Sequence, residues 1–303
     1  MFLKNHVFSL IVVLLLFSGL TSCKSKFEKL RASNNIQMKY QEAVKYYEKG
    51  KYSKALTLFE ELVAKYRGTA EAEDLFYYTS YASYRLKDYI SARYHFKSFA
   101  DNYPNSARAE ECRFMSAYCY YLDSPRSNLD QDNTKKAIDQ LQLFVNLYPE
   151  SERAEEAGNL IQDLRDKLEK KAFDNAKLYF NMGLPDDYRA AVIALENVLK
   201  QYPDTKHAEE VEFLLVKSQY LFADNSFPHR QEDRFNQMLD YYDSFTEHFP
   251  ESKYNAELNS LRSSAERKIA AAIKLVNDDE EARKKRQEEL GVTEKSAVPV
   301  ETN

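Results

Sequence analysis

The chain has 303 residues, 30% of them charged, with a net charge of −5; that length suits one compact domain or an array of repeats, and the charge provides no basic face for nucleic acid. Six glycines and eight prolines are few for this length, so tight turns and phosphate-cradling loops are scarce. Tryptophan is absent, whereas tyrosine (23) and phenylalanine (18) are abundant.

In chain order, residues 1–22 read as a processing segment. Lys4 and His6 make a short basic start, Val7–Phe17 is an apolar run interrupted by Ser9, and Ser18-Gly19-Leu20-Thr21-Ser22 leads into Cys23. The run is too short for a spanning helix, which takes about 20 apolar residues. Small residues before a cysteine, with Leu20 three positions ahead, resemble the lipobox of bacterial lipoproteins. That resemblance implies cleavage before Cys23 and acylation of its thiol and new amino terminus, several acyl chains holding firmly where one is marginal. Lys24, in place of an aspartate, implies sorting to the outer membrane. Residues 23–33 then form a lipid-anchored tether. The competing reading is an ordinary cleaved signal with an incidental cysteine.

From 34 to 275 one signature recurs. Tyr66-Arg67-Gly68-Thr69, Tyr103-Pro104-Asn105-Ser106, Tyr148-Pro149-Glu150-Ser151, Tyr202-Pro203-Asp204-Thr205 and Phe249-Pro250-Glu251-Ser252 each place an aromatic residue ahead of Ser or Thr, with proline after the aromatic in four of them. Proline pushes its predecessor out of helical dihedrals, so a helix ends near the aromatic. The hydroxyl is expected to cap the next helix. Fourteen residues upstream of these aromatics stand Tyr52, Tyr89, Thr134, Tyr188 and Phe235. Each opens a 3-4-3 spacing: Ala55, Phe59, Leu62; Ala92, Phe96, Phe99; Ala137, Leu141, Phe144; Ala191, Leu195, Val198; Met238, Tyr242, Phe245. That spacing is one face of an α-helix. The partner helices run through Met38–Lys49, Ala70–Leu86, Ala107–Leu122, Arg153–Met182 and Lys206–Phe222. The fold predicted is all-α, an α-solenoid of about five tetratricopeptide-like (TPR) helix pairs. Extra residues enter between the two helices of later repeats at 123–133 and 224–230, as a binding face or as tolerated loops.

Side chains for catalysis do not gather. His95, His207, His229 and His248 are scattered, and no H-E-x-x-H or G-x-S-x-G occurs. Acid pairs such as Glu110-Glu111 and Glu209-Glu210 follow helix starts, where they complement the dipole. Cys112 and Cys119 lie about 10 Å apart along a helix, beyond the ~7 Å reach of a disulfide, and read as free, buried, small apolar residues. The reading is therefore of a protein without enzyme activity, metal or cofactor. Tyr77, Tyr78, Tyr81 and Tyr84, then Tyr118, Tyr120 and Tyr121, mark the first helices of repeats two and three, divided between core and the concave groove. A groove of that kind suits an extended, strand-like peptide. After residue 276 a charged tail is expected to be flexible, as a solvated helix end or as disorder.

A lipobox followed by five repeats, the third-repeat insert SPRSNLDQDNTKKAIDQLQLFVNLYPES, and the stretch FDNAKLYFNMGLPDDYRAAVIALENVLKQYPDT together resemble the BamD family of outer-membrane β-barrel assembly lipoproteins, over roughly residues 23–270. The resemblance implies a periplasm-facing scaffold that takes no small-molecule substrate. Its N-terminal repeats would receive the terminal strand of unfolded outer-membrane proteins on Tyr77, Tyr78, Tyr81, Tyr84, Tyr118 and Tyr121. Its C-terminal repeats would hold the periplasmic domains of BamA through Arg189, Lys200, Lys217 and the 224–230 insert. The alternatives are an adaptor organising peptidoglycan or division enzymes, and nutrient capture, against which the length argues.

Overall fold

The computed structural model describes residues 25–289, so the expectations for the segment up to Lys24, Cys23 included, and for the last fourteen residues lie outside the described residues. Twelve helices and no strand occur among the described residues: α1 Lys26–Arg31, α2 Ile36–Glu48, α3 Tyr52–Tyr66, α4 Ala72–Arg85, α5 Tyr89–Asn102, α6 Ala109–Leu122, α7 Asp132–Leu147, α8 Ala154–Met182, α9 Pro185–Gln201, α10 Ala208–Asp224, α11 Pro228–His248 and α12 Asn255–Glu289. Consecutive helices pack on each other from α2 to α7 and again from α9 to α12. First helices also touch the first helix that follows, α2 on α4 and α10 on α12. This is an all-α array of TPR-like pairs.

The 3-4-3 face explains the packing. Ala55, Phe59 and Leu62, with their counterparts in α5, α7, α9 and α11, are all buried, Tyr242 being the most exposed at 6%. An alanine lets the partner helix approach, and the two larger side chains fill the seam. Burying a large apolar side chain contributes about 1.5–3 kcal/mol, so each second helix is held by at least two such positions.

The chain divides into two compact units. The first, mainly residues 25–125 and 130–164, has one cluster around Leu58, Phe59 and Leu75 and another around Phe96, Phe99, Phe114 and Phe144. The second, mainly 165–289 with 126–129, has one cluster in which Phe173 and Ala176 of α8 join Leu195, Val216, Phe235 and Phe245. The boundary falls inside α8, after Leu164. Gly183 ends that helix at a φ of +82°, where a side chain would be strained, and Pro185 opens α9 with its φ already set for a helix.

The joints differ from the sequence expectation in one respect. First helices begin two residues later than expected after most joints, because a turn comes first. In all five, the Ser or Thr N–H donates to the joint aromatic's carbonyl (3.0–3.1 Å), and its own carbonyl accepts from the third residue on (2.9–3.3 Å). The hydroxyl accepts two residues on, not as a helix N-cap: Ser106 Oγ from Arg108 N, Ser151 Oγ from Arg153 N, Thr205 Oγ1 from His207 N and Ser252 Oγ from Tyr254 N, each at 3.1 Å. Prolines and turn hydrogen bonds take up the residues that a cap would have used.

The ends of the array carry two further segments. α1, within the expected tether, packs on the first repeat through Leu30, which is buried, and Phe27, whose ring meets Tyr46 edge-on at 5.7 Å. α12 buries Leu258, Ala265 and Ala272 and then continues, almost wholly exposed, to Glu289.

Candidate partner-binding surfaces

In the first unit, the spacing Tyr77, Tyr81, Tyr84 on α4 and Tyr118, Tyr121 on α6 follows the helical repeat, so the rings form two adjoining rows. Their half-burial shows what each ring does. Tyr77 and Tyr81 lie 4.8 Å apart between centroids, and both hydroxyls donate to Glu111 of α6, Tyr77 at 3.1 Å. The Arg108 guanidinium covers the Tyr77 ring at 4.5 Å. Tyr84 packs on Tyr89 and Phe96. Tyr118 stacks between Phe114 and Tyr121 at 5.8 Å on each side, and the Tyr121 hydroxyl points to Asp163 at 3.4 Å. Tyr78 stands apart: it stacks on Phe59 at 5.7 Å and meets Tyr47, in the neighbouring cluster. None of the six is fully buried and none is freely exposed. Tyr94 and Ile90 of α5, which the pattern did not single out, are open apolar side chains nearby in sequence, at 67% and 61%, with Leu86 at 41%.

Burial, and then the Glu111 carboxylate, pushes the Tyr77 hydroxyl up to about 12, and the same two causes raise Tyr81 further. Both phenols stay protonated as donors. Glu111, read in sequence as a complement to the helix dipole, is therefore the acceptor that fixes both rings. Its companion Glu110 accepts from Ser151 Oγ at 2.5 Å, and Glu73 accepts from Ser106 Oγ at 2.5 Å. Acids in the first turn of a first helix thus tie back to the next joint, a long-range use that local spacing does not reveal. Cys112 and Cys119, also on α6, are free and wholly buried, and burial lifts both thiols to about 12.

In the second unit, Arg189 is exposed on α9. It shares its surroundings with Arg230 and Arg234: burial first, and then the charges of Arg230 and Arg189, hold the Arg234 guanidinium below its usual value. Arg234 covers the Phe222 ring at 4.0 Å and donates to Ser226 Oγ, so the 224–230 insert is pinned from α11. Phe227 at the tip of the insert is 77% exposed. Lys217 is placed differently. It is half-buried on α10, paired with Glu257 of α12 at 2.8 Å and held over Phe213 and Phe180 at 5.1 and 5.6 Å. Its charge is largely answered within the unit, whereas Arg189 faces solvent.

No group of three or more potential metal ligands occurs among the described residues. No helix there is long and apolar enough to cross a membrane.

The family described as outer membrane lipoprotein, YfiO, matches residues 33–222. The chain is 24% identical over 211 residues to an outer membrane protein assembly factor BamD of Caulobacter vibrioides, covering 69% of this chain and 68% of that one. It is 23% identical over 246 residues to the protein of the same description from Rickettsia prowazekii, covering 81% and 92%.

Proposed function

The chain belongs to the YfiO outer membrane lipoprotein family, and from that membership we infer that it is an outer-membrane protein assembly factor of the BamD kind. The finer reading is that it is anchored through an acylated Cys23, faces the periplasm, and acts as a scaffold without chemistry of its own. It brings together unfolded outer-membrane β-barrel proteins and the periplasmic domains of BamA.

One observation supports this most: the family match covers α2 to most of α10, the stretch that holds the six tyrosines, Arg189 and Lys217. The two surfaces suit different ligands. The tyrosine rows offer half-buried ring faces, two of them locked in place by Glu111, which fits an extended strand rich in aromatic residues. The arginines around the 224–230 insert offer exposed like charge on a pinned frame, which fits a folded partner with an acidic surface.

The experiment places a photo-crosslinking residue at Tyr121 or at Arg189 in otherwise intact chains. Tyr121 should capture the terminal strand of an unfolded barrel protein, and Arg189 the periplasmic domains of BamA. If both positions capture the same ligand, or neither captures either one while the helical spectrum is unchanged, the two-surface reading fails.

A further inference from the structure

We propose that α1 and the start of α2 form a membrane-facing patch that reads anionic phospholipid headgroups and sets the orientation of the first repeat on the bilayer. The proposal rests on the reading of Cys23 as acylated.

Charge is segregated at this end of the chain. Residues 24–40 carry Lys24, Lys26, Lys29, Arg31 and Lys39 against Glu28 alone, in a chain whose net charge is −5. Two of the cations are already paired: Arg31, exposed, and Lys39, buried, both meet Glu61 of α3, at 2.8 and 3.1 Å. Lys26 and Lys29 differ from them. They lie one turn apart on α1, both exposed, and enter no ion pair among the described residues.

They are also held in place. α1 is too short to be stable alone, yet Leu30 is buried in the first cluster, Phe27 packs on Tyr46, and Ser25 Oγ accepts from Glu28 N at 3.2 Å. Beside the two lysines opens a pocket of about 560 Å³, lined also by Leu30, Ser33, Met38 and Tyr46. Met38 is 50% exposed and Ile36 36%. Glu42, the acid on this lining, is answered by Lys45 at 2.6 Å. The patch is therefore basic at its rim and apolar at its floor, as interfacial elements are.

Chain length identifies the occupant. Lys26 follows Cys23 by three residues, which span at most about 10 Å when extended. Lys29 lies three residues further along α1, about 4.5 Å of helical rise, so lipid on Cys23 keeps both lysines within about 15 Å of the headgroups, one to two screening lengths. No other partner is brought to this patch by covalent attachment. The acyl chains supply the affinity. The lysines, each favouring an anionic surface about fivefold, decide which face of the repeat meets it.

The test uses the full chain in vesicles of phosphatidylcholine, with or without phosphatidylglycerol, and a membrane-impermeant amine-reactive label read by mass spectrometry. Lys26 and Lys29 should be labelled several-fold more slowly in the anionic vesicles, with Lys284 unaffected and the protection lost in high salt. A Cys23→Ser chain beginning at residue 23 should bind anionic vesicles alone, and adding Lys26→Glu with Lys29→Glu should lower that partition at least about 25-fold with an unchanged helical spectrum. Equal labelling in both vesicle types with Cys23 shown to be acylated overturns the proposal. So does protection of these lysines by unfolded barrel protein in lipid-free detergent, which would make the patch a polypeptide site. If Cys23 carries no lipid, the anchor reading falls, and the Cys23→Ser arm still decides the patch.

Discussion

Tyr81 packs its ring edge on Phe96 at 5.0 Å and gives its hydroxyl to Glu111. Tyr81→Phe keeps the ring and removes the donor, and Tyr77 remains on the same carboxylate. A cost of about 1 kcal/mol is expected, seen as a lower denaturant midpoint with an unchanged slope. The buried phenols and thiols of this unit set an alkaline limit. Cys112 and Cys119 are raised from 9.0 to about 12, and Tyr77 from 10.0 to about 12. A group whose folded value is raised stabilises the fold fully below its unfolded value, and that contribution is lost as pH climbs toward the folded value. Stability should therefore be level up to about pH 8.5 and fall between pH 9 and 12. In the Tyr77→Phe, Tyr81→Phe chain the part of the fall above pH 10 should be shallower. A denaturation midpoint that stays constant to pH 11 in the native chain would refute this account.

The helix pair with its joint is the unit on which the next prediction bears. Thr205 Oγ1 donates to Glu169 Oε1 at 2.5 Å, and both residues are nearly buried, at 6% and 8%. Ser252 holds its turn by accepting from Tyr254 N. Thr205→Val preserves shape and leaves the buried carboxylate short of a donor, so a loss of about 2 kcal/mol is expected, against under ~1 kcal/mol for Ser252→Ala. Equal losses in chemical denaturation would mean that the joints work only as local turns. The second helices were readable from sequence because burial there depends on a period within one helix. The joints were readable as breaks, since proline and the aromatic act locally. Glu73, Glu110 and Glu169 were not readable as partners of the joints, because they lie 33, 41 and 36 residues from the hydroxyls they accept.

At the scale of the molecule, an array whose helices touch mainly their neighbours should lose stability locally. Phe59 is wholly buried in the α1–α4 cluster, and Phe59→Ala is expected to cost about 3–5 kcal/mol. Hydrogen exchange should show faster opening within residues 26–85 and unchanged protection in the second unit's core around Phe235 and Phe245. Faster exchange throughout would show a single cooperative unit instead. Fractionation addresses the anchor: Cys23→Ala should leave the outer-membrane fraction in high salt, and full retention without partners would exclude lipid as the main tether.

The sequence by itself determined the helical class, the number of repeats, the buried 3-4-3 face and the free, buried state of Cys112 and Cys119, because all of these follow from spacing along a single helix. It also carried the family resemblance, which the family match bears out. Only the tertiary structure decided which tyrosine hydroxyls meet Glu111, that Lys217 is answered by Glu257 while Arg189 is not, and that α1 docks on the first repeat to leave Lys26 and Lys29 outward. Each of these depends on which distant residue the stacking of one helix on another brings within a few ångströms, and no local period encodes that.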